Sequence, residues 1–116
     1  MSKLEEAREI LEMLKVPSKQ KNNLCCYTLL ALTGLHEEEC WPAVKNEWIG
    51  IHDMMGFIRK NYHVDYAENS RETFRKQALH HFRNAAFIAD KGKPTNSPNY
   101  CYRLTNEIRA LLCSYG

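Results

Sequence analysis

Between Ser70 and Asn99 the chain gathers two runs of hydrogen-bonding and cationic side chains. Ser70, Arg71, Thr73, Arg75, Lys76, Gln77, His80 and Arg83 form the first, and Lys91, Lys93, Thr95, Asn96, Ser97 and Asn99 the second. Arg and Lys bring donors to phosphates, whereas Gln, Asn, Thr and His can pair with the edges of bases. From Arg71 to Lys93 the only acids are Glu72 and Asp90, while Glu37, Glu38 and Glu39 lie together in the first half. A formal net charge of +2 is too small to carry a nucleic-acid reading by itself, so the reading rests on where the charges sit. Their placement predicts one basic face.

Other chemistries find less to build on. His36 with Cys40, and His80 with His81, each lack the second correctly spaced pair that a metal site needs. Five cysteines, an odd count without C-x-x-C spacing, and a start without a secretory signal predict reduced thiols and a cytoplasmic location. No apolar run approaches the ~18 residues that cross a membrane, so no membrane partner is expected. No nucleophile with a partnered base and no carboxylate cluster stands out. Catalytic residues and metal ligands are therefore assigned to no position, and no cofactor is expected for this chain.

The elements that position these residues follow from periodicity. At 116 residues, 44% hydrophobic and 26% charged, the chain reads as one globular domain over 1–116. Ser2 with Glu5 forms a capping box, and Leu4, Ala7, Ile10, Leu11 and Leu14 recur at helical spacing up to Pro17. A second helix is predicted from near Ser18, with Leu24, Tyr27, Leu30 and Ala31 on one stripe and Gly34 as its stop. His36 to Gly50 reads as a connector with one short helical turn, pinned to the core by Trp41 and Trp48; either tryptophan could instead be an exposed binding aromatic. Ile51, Met54, Met55, Ile58 and Tyr62 predict a short helix ending near Asn61 to His63. Asn69 with Glu72 gives the N-cap and N3 pattern of a further helix to about Ala85, whose core side carries Phe74, Ala78, Leu79, Phe82 and Ala85. Phe87 and Ile88, then Tyr100, Tyr102 and Leu104, predict a hairpin with a long tip over 91–99. Thr105 caps a last helix through Leu112, with Ile108, Leu111 and Leu112 closing the core.

This order, mainly α with a small β-hairpin, is that of a winged helix-turn-helix, in which the second helix of the pair enters the major groove. Steps of about 100° from Phe74 place Thr73, Lys76, Gln77, His80, Arg83 and Asn84 opposite the core. A solvated helix face has the same pattern, and long turns are also made of Gly, Pro, Asn and Ser. The acid-free tip beside that helix favours a wing resting on phosphates. Arg71 and Arg75 fall at the edge of the apolar side. Both are candidates for phosphate contact, and Arg75 equally for a pair with Asp53 or Glu47. His80 and His81 read as hydrogen-bonding or packing groups.

The run from Tyr66 to Phe82 and that from Asn96 to Thr105, with Glu6 to Leu11 and Thr28 to Leu35 upstream, resemble the N-terminal domain of the BsuBI/PstI family of type II restriction endonucleases. The resemblance implies a helix-turn-helix domain ahead of a separate magnesium-dependent nuclease domain, in restriction-modification enzymes that cut palindromic duplex DNA. On that reading this chain is a double-stranded DNA-binding domain that reads sequence or modification. Its partners are DNA and a nuclease domain absent from this chain, and magnesium is expected only there. The usual nuclease signature sets an Asp or Glu two residues before a Lys, with the carboxylates on the metal. No Asp or Glu here is followed two residues later by Lys. The alternatives are a free-standing winged-helix transcription regulator, dimeric through its first or last helix, and a protein-interaction winged helix whose Ser70 to Ala85 face docks on an acidic partner. Target sequence, methylation preference and oligomeric state stay open.

Overall fold

The computed structural model describes residues 2–16, 22–91 and 100–115. Helix α1 (Lys3–Met13) starts on the expected capping box: the Ser2 hydroxyl accepts from the Glu5 N–H, and the Glu5 carboxylate from the Ser2 N–H, each at 3.1 Å. It ends earlier than the sequence suggests, at Met13, and Lys15 turns left-handed at φ 58°. Helix α2 (Asn23–Thr33) is capped by Asn22, whose side chain accepts from the Cys25 N–H at 2.9 Å; the predicted start near Ser18 and the Pro17 stop lie outside the described residues. Gly34 closes it in the left-handed region at φ 70°.

The predicted stripe on α2 is too narrow. Cys25, Cys26, Thr28, Leu29, Leu30, Ala31, Leu32 and Thr33 are all buried, and Leu24 and Tyr27 are its less buried side. A helix that is apolar all round belongs inside, and α2 packs against α1, the following helices and the hairpin. The connector contributes a 3-10 turn at Trp41–Ala43 and ties back through the Lys45 N–H to the Thr33 carbonyl at 2.9 Å. Helix α3 (Ile51–Tyr62) buries Met54, Met55 and Ile58 and ends on left-handed His63. The Tyr62 hydroxyl donates to the Leu35 carbonyl at 2.5 Å, which fixes the end of α3 against the end of α2.

A composite helix follows in three parts: α4 (Arg71–Phe74), a π-helical segment (Arg75–Leu79) and α5 (His80–Asn84). Its start differs from the predicted cap. A 3-10 turn over Glu68–Ser70 leads in, no side chain caps it, and Glu72 bonds to Arg75 instead of reaching back. Within the π segment the His80 N–H reaches the Arg75 carbonyl, five residues back. The Cys25 thiol of α2 donates to the Gln77 carbonyl at 3.2 Å, a side chain reaching into the loosened ladder.

The wide turn has a packing cause. In an unbroken α-helix Phe82 would stand about 80° round the axis from Phe74; the extra residue takes back about 100°, leaving the rings about 20° apart. Both rings are buried, at 0% and 1% exposure, together with Ala78 and Leu79. Full burial of each is worth roughly 1.5–3 kcal/mol, enough to favour one irregular turn.

Beyond Asn84 the chain turns on Ala86, left-handed at φ 63°. The Phe87 N–H bonds the Phe82 carbonyl at 2.9 Å, the Ala86 N–H bonds the Arg83 carbonyl at 3.0 Å, and the Phe87 and Phe82 rings pack 5.9 Å apart. Strands β1 (Ile88–Lys91) and β2 (Cys101–Leu104) pair antiparallel with Ile88 opposite Leu104 and Lys91 opposite Cys101. Residue Ile49, read as connector in the sequence, adds a bridge to Tyr102 on the other side of β2, through bonds of 2.8 and 2.9 Å. Helix α6 (Asn106–Cys113) is capped by Thr105 as expected and buries Leu112, but Leu111 is 49% exposed and closes no core. The architecture is a winged helix-turn-helix, with α3 and the composite helix as the pair. Among the described residues no helix is long and apolar enough to cross a membrane.

Candidate nucleic-acid interface

The π segment decides which side chains stand furthest from the core. Taking back one residue's rotation aligns Glu72, Lys76, His80 and Asn84 as a single ridge opposite Phe74 and Phe82. Contacts along the ridge agree: Lys76 Nζ lies 3.8 Å from the Glu72 carboxylate, and Asn84 Nδ2 lies 3.2 Å from His80 Nε2. Gln77 is exposed on a flank, and Thr73 is half-buried, closer to the core than the sequence places it. Ser70 is also half-buried; its N–H bonds the Ala67 carbonyl at 2.8 Å.

The cations are arranged more tightly than the sequence shows. Arg75 Nη2 lies 2.6 Å from the Glu72 carboxylate, which corrects the expected pairing with Asp53 or Glu47: the nearest acid is one helical turn back on the same helix. The hydrogen bond from Arg75 holds the Glu72 carboxyl below its ordinary pKa. Arg83 Nε lies 3.5 Å from Asp90 on β1, and Tyr100 donates its hydroxyl to the same carboxylate. That hydrogen bond raises the Tyr100 pKa. Arg71 is exposed and makes no ion pair among the described residues.

At the hairpin root, Lys91 Nζ and the Arg103 guanidinium sit 4.7 and 4.6 Å from the centre of the Trp48 ring. The two tryptophans thus divide. Trp41 is buried at 3% exposure and pins the connector, whereas Trp48 is only half-buried and holds two cations instead of filling the core. Opposed residues on paired strands share a face, so Lys91, Cys101 and Arg103 project away from buried Tyr102 and Leu104. Lys93, Thr95, Asn96, Ser97 and Asn99, the predicted wing tip, lie outside the described residues.

The structure therefore brings Arg71, Arg75, Lys76, Gln77, His80 and Arg83 to one exposed helix surface and places Lys91 on the adjoining hairpin. Sequence reasoning read Glu72 only as the N3 residue of a helix cap, although it lies on the same ridge. It also passed over Arg103, whose alternation with Tyr102 and Leu104 was the available signal. Among the described residues no group of three or more His, Cys, Asp or Glu side chains is placed to hold a metal ion.

Comparison with known proteins agrees with the winged helix-turn-helix fold. Residues 1–116 match the family described as the BsuBI/PstI restriction endonuclease HTH domain. The chain is 37% identical over 119 residues to the type II restriction enzyme BsuBI of Bacillus subtilis, covering 99% of this chain and 38% of that protein. It is 28% identical to the type II restriction enzyme AplI of Arthrospira platensis (strain NIES-39 / UTEX 3086 / IAM M-135), covering 96% of this chain and 35% of the relative. The structure of SdaI restriction endonuclease superposes with a TM-score of 0.91 at 28% identity, over 97% of this chain and 37% of that one. The chain thus spans less than two-fifths of the length of each. Matched from end to end in sequence and nearly so in structure, it belongs to the BsuBI/PstI restriction endonuclease HTH domain family.

Proposed function

We propose that this chain is the duplex-reading module of a type II restriction endonuclease. The composite helix lies in the major groove and the hairpin rests on the flanking backbone. The observation that carries this is the ridge and flanks of the composite helix, where hydrogen-bonding and cationic side chains face solvent opposite Phe74 and Phe82. A major groove about 12 Å wide admits one such helix, and its base edges distinguish all four pairs. Ser70, Arg71, Arg75, Lys76, Arg83 and Lys91 position the domain on phosphates, with Lys93, Thr95, Asn96, Ser97 and Asn99 extending the contact along the wing. Thr73, Gln77 and His80 address the bases.

The cutting chemistry belongs to a nuclease domain that acts as this module's partner and binds the magnesium. Supporting that division, no Asp or Glu here precedes a Lys at the spacing such a site uses. The test is fluorescence anisotropy of the purified chain with labelled duplexes, followed by incubation with magnesium. Salt-dependent binding without cleavage is expected. Failure to bind any duplex at low salt overturns the reading role, and magnesium-dependent cutting that co-purifies with the chain overturns the division of labour.

A further inference from the structure

We propose that Glu72 reads a base, accepting a hydrogen bond from the N4 amino group of a cytosine in the major groove; this rests on the duplex-reading role above. The carboxylate stands on the outermost ridge, in line with Lys76, His80 and Asn84 and directly opposite the buried rings. Its side chain is 58% exposed, yet it is already oriented, with Arg75 at 2.6 Å and Lys76 at 3.8 Å. An ionised carboxylate only accepts hydrogen bonds. Of the four bases, guanine shows two acceptors in the major groove, thymine an acceptor and a methyl group, and adenine a donor beside an acceptor. Cytosine alone shows a donor without an adjoining acceptor on the same base, so it alone meets Glu72 without repulsion. The two cations beside the carboxylate, Arg75 and Lys76, offset its repulsion from the phosphates.

The experiment is binding-site selection on randomised duplexes with the wild-type chain, Glu72→Gln and Glu72→Ala. Single-base variants of the selected site are then titrated by anisotropy, with circular dichroism confirming the fold of each chain. The wild type is expected to prefer cytosine at one position by roughly 5- to 150-fold, the range of one good side-chain-to-base pair. In Glu72→Gln that position should turn towards adenine, because an amide pairs with the N6 and N7 of adenine. In Glu72→Ala the preference there should fall below about threefold while the other positions keep theirs. If both variants change affinity uniformly with the site ranking intact, Glu72 only positions Arg75 and Lys76 and the inference is overturned. A wild-type chain that binds no duplex removes the underlying reading role and this inference together, a result distinct from the uniform change.

Discussion

Asp90→Asn isolates the contribution of Arg83 to DNA binding. Arg83 Nε lies 3.5 Å from the Asp90 carboxylate, and the pair carries no net charge towards a phosphate. The substitution keeps the shape and leaves an amide oxygen to accept from Tyr100, but it releases one full positive charge on the composite helix. Each phosphate neutralised contributes about −0.9 to the slope of log affinity against log salt on duplex DNA. Asp90→Asn should therefore steepen the slope by about 0.9, so the affinity lost between 50 and 200 mM salt grows about 3.5-fold relative to wild type. Any contribution from the wing tip is common to both chains and cancels in the difference. The assay is anisotropy titration of one duplex at four or more salt concentrations. The double variant Arg83→Ala, Asp90→Asn should return the slope to that of wild type. Arg83 is 60% exposed but Asp90 only 18%, so circular dichroism of each variant confirms the fold before titration. An unchanged slope in Asp90→Asn would refute the reasoning that Asp90 offsets the charge Arg83 presents to a phosphate.

Three further outcomes test the scaffold. Ala86→Gly should raise stability by about 0.5 kcal/mol in urea unfolding, because left-handed backbone costs alanine about 1–2 kcal/mol, offset in part by the greater chain entropy of glycine; a clear loss would mean that the elbow is not under this strain. Trp48→Ala should cost about 2–3 kcal/mol, from two half-exposed cation–π contacts and lost apolar contact area, and a change within about 0.5 kcal/mol would show that the ring is an ornament of the surface. Burial pushes the Tyr102 hydroxyl and the Cys25 thiol up to about 12, from ordinary values of 10.0 and 9.0. Folded-state values above the unfolded ones mean that their contribution is complete below pH ~9 and is lost as pH rises towards 12. Urea midpoints should fall over that window, less steeply in Tyr102→Phe, and a flat profile would count against the burial of both groups.

Signals carried by a few neighbouring residues were legible in the sequence. Ser2 with Glu5, Gly34 and Thr105 each act as predicted because a cap or a left-handed stop is decided locally. The winged helix-turn-helix order was equally legible, since Phe74, Ala78, Leu79 and Phe82 mark a core side at near-helical spacing. The π segment was not, because periodicity assumes a constant turn and the demand for a wider one comes from two rings that must share a core and from Cys25 on another helix. Ala86 escaped notice because its conformation is more usual for glycine. A one-residue bridge at Ile49 is too short to leave an alternating pattern. At the interface, residue type revealed which groups face outward but not how Glu72, Asp90 and Trp48 restrain Arg75, Arg83 and Lys91, since those pairings depend on rotation about the helix and on strand register.

The wide turn at Arg75–Leu79 also sets how the composite helix tolerates changes in length. Deleting one residue there would close the turn into ordinary α-helix and keep Phe82 in line with Phe74, because one residue fewer at about 100° each covers the same rotation, whereas inserting one would swing everything downstream by about 100°. After an insertion Phe82 would leave the core and carry with it the Phe87 ring that packs on it at the root of the hairpin, although every other side chain kept its identity. Substitution on the outer ridge carries no such penalty, because Glu72, Lys76, His80 and Asn84 are exposed and lie outside the core. The segment is thus open to rewriting letter by letter and to the loss of one residue, and closed to the gain of one.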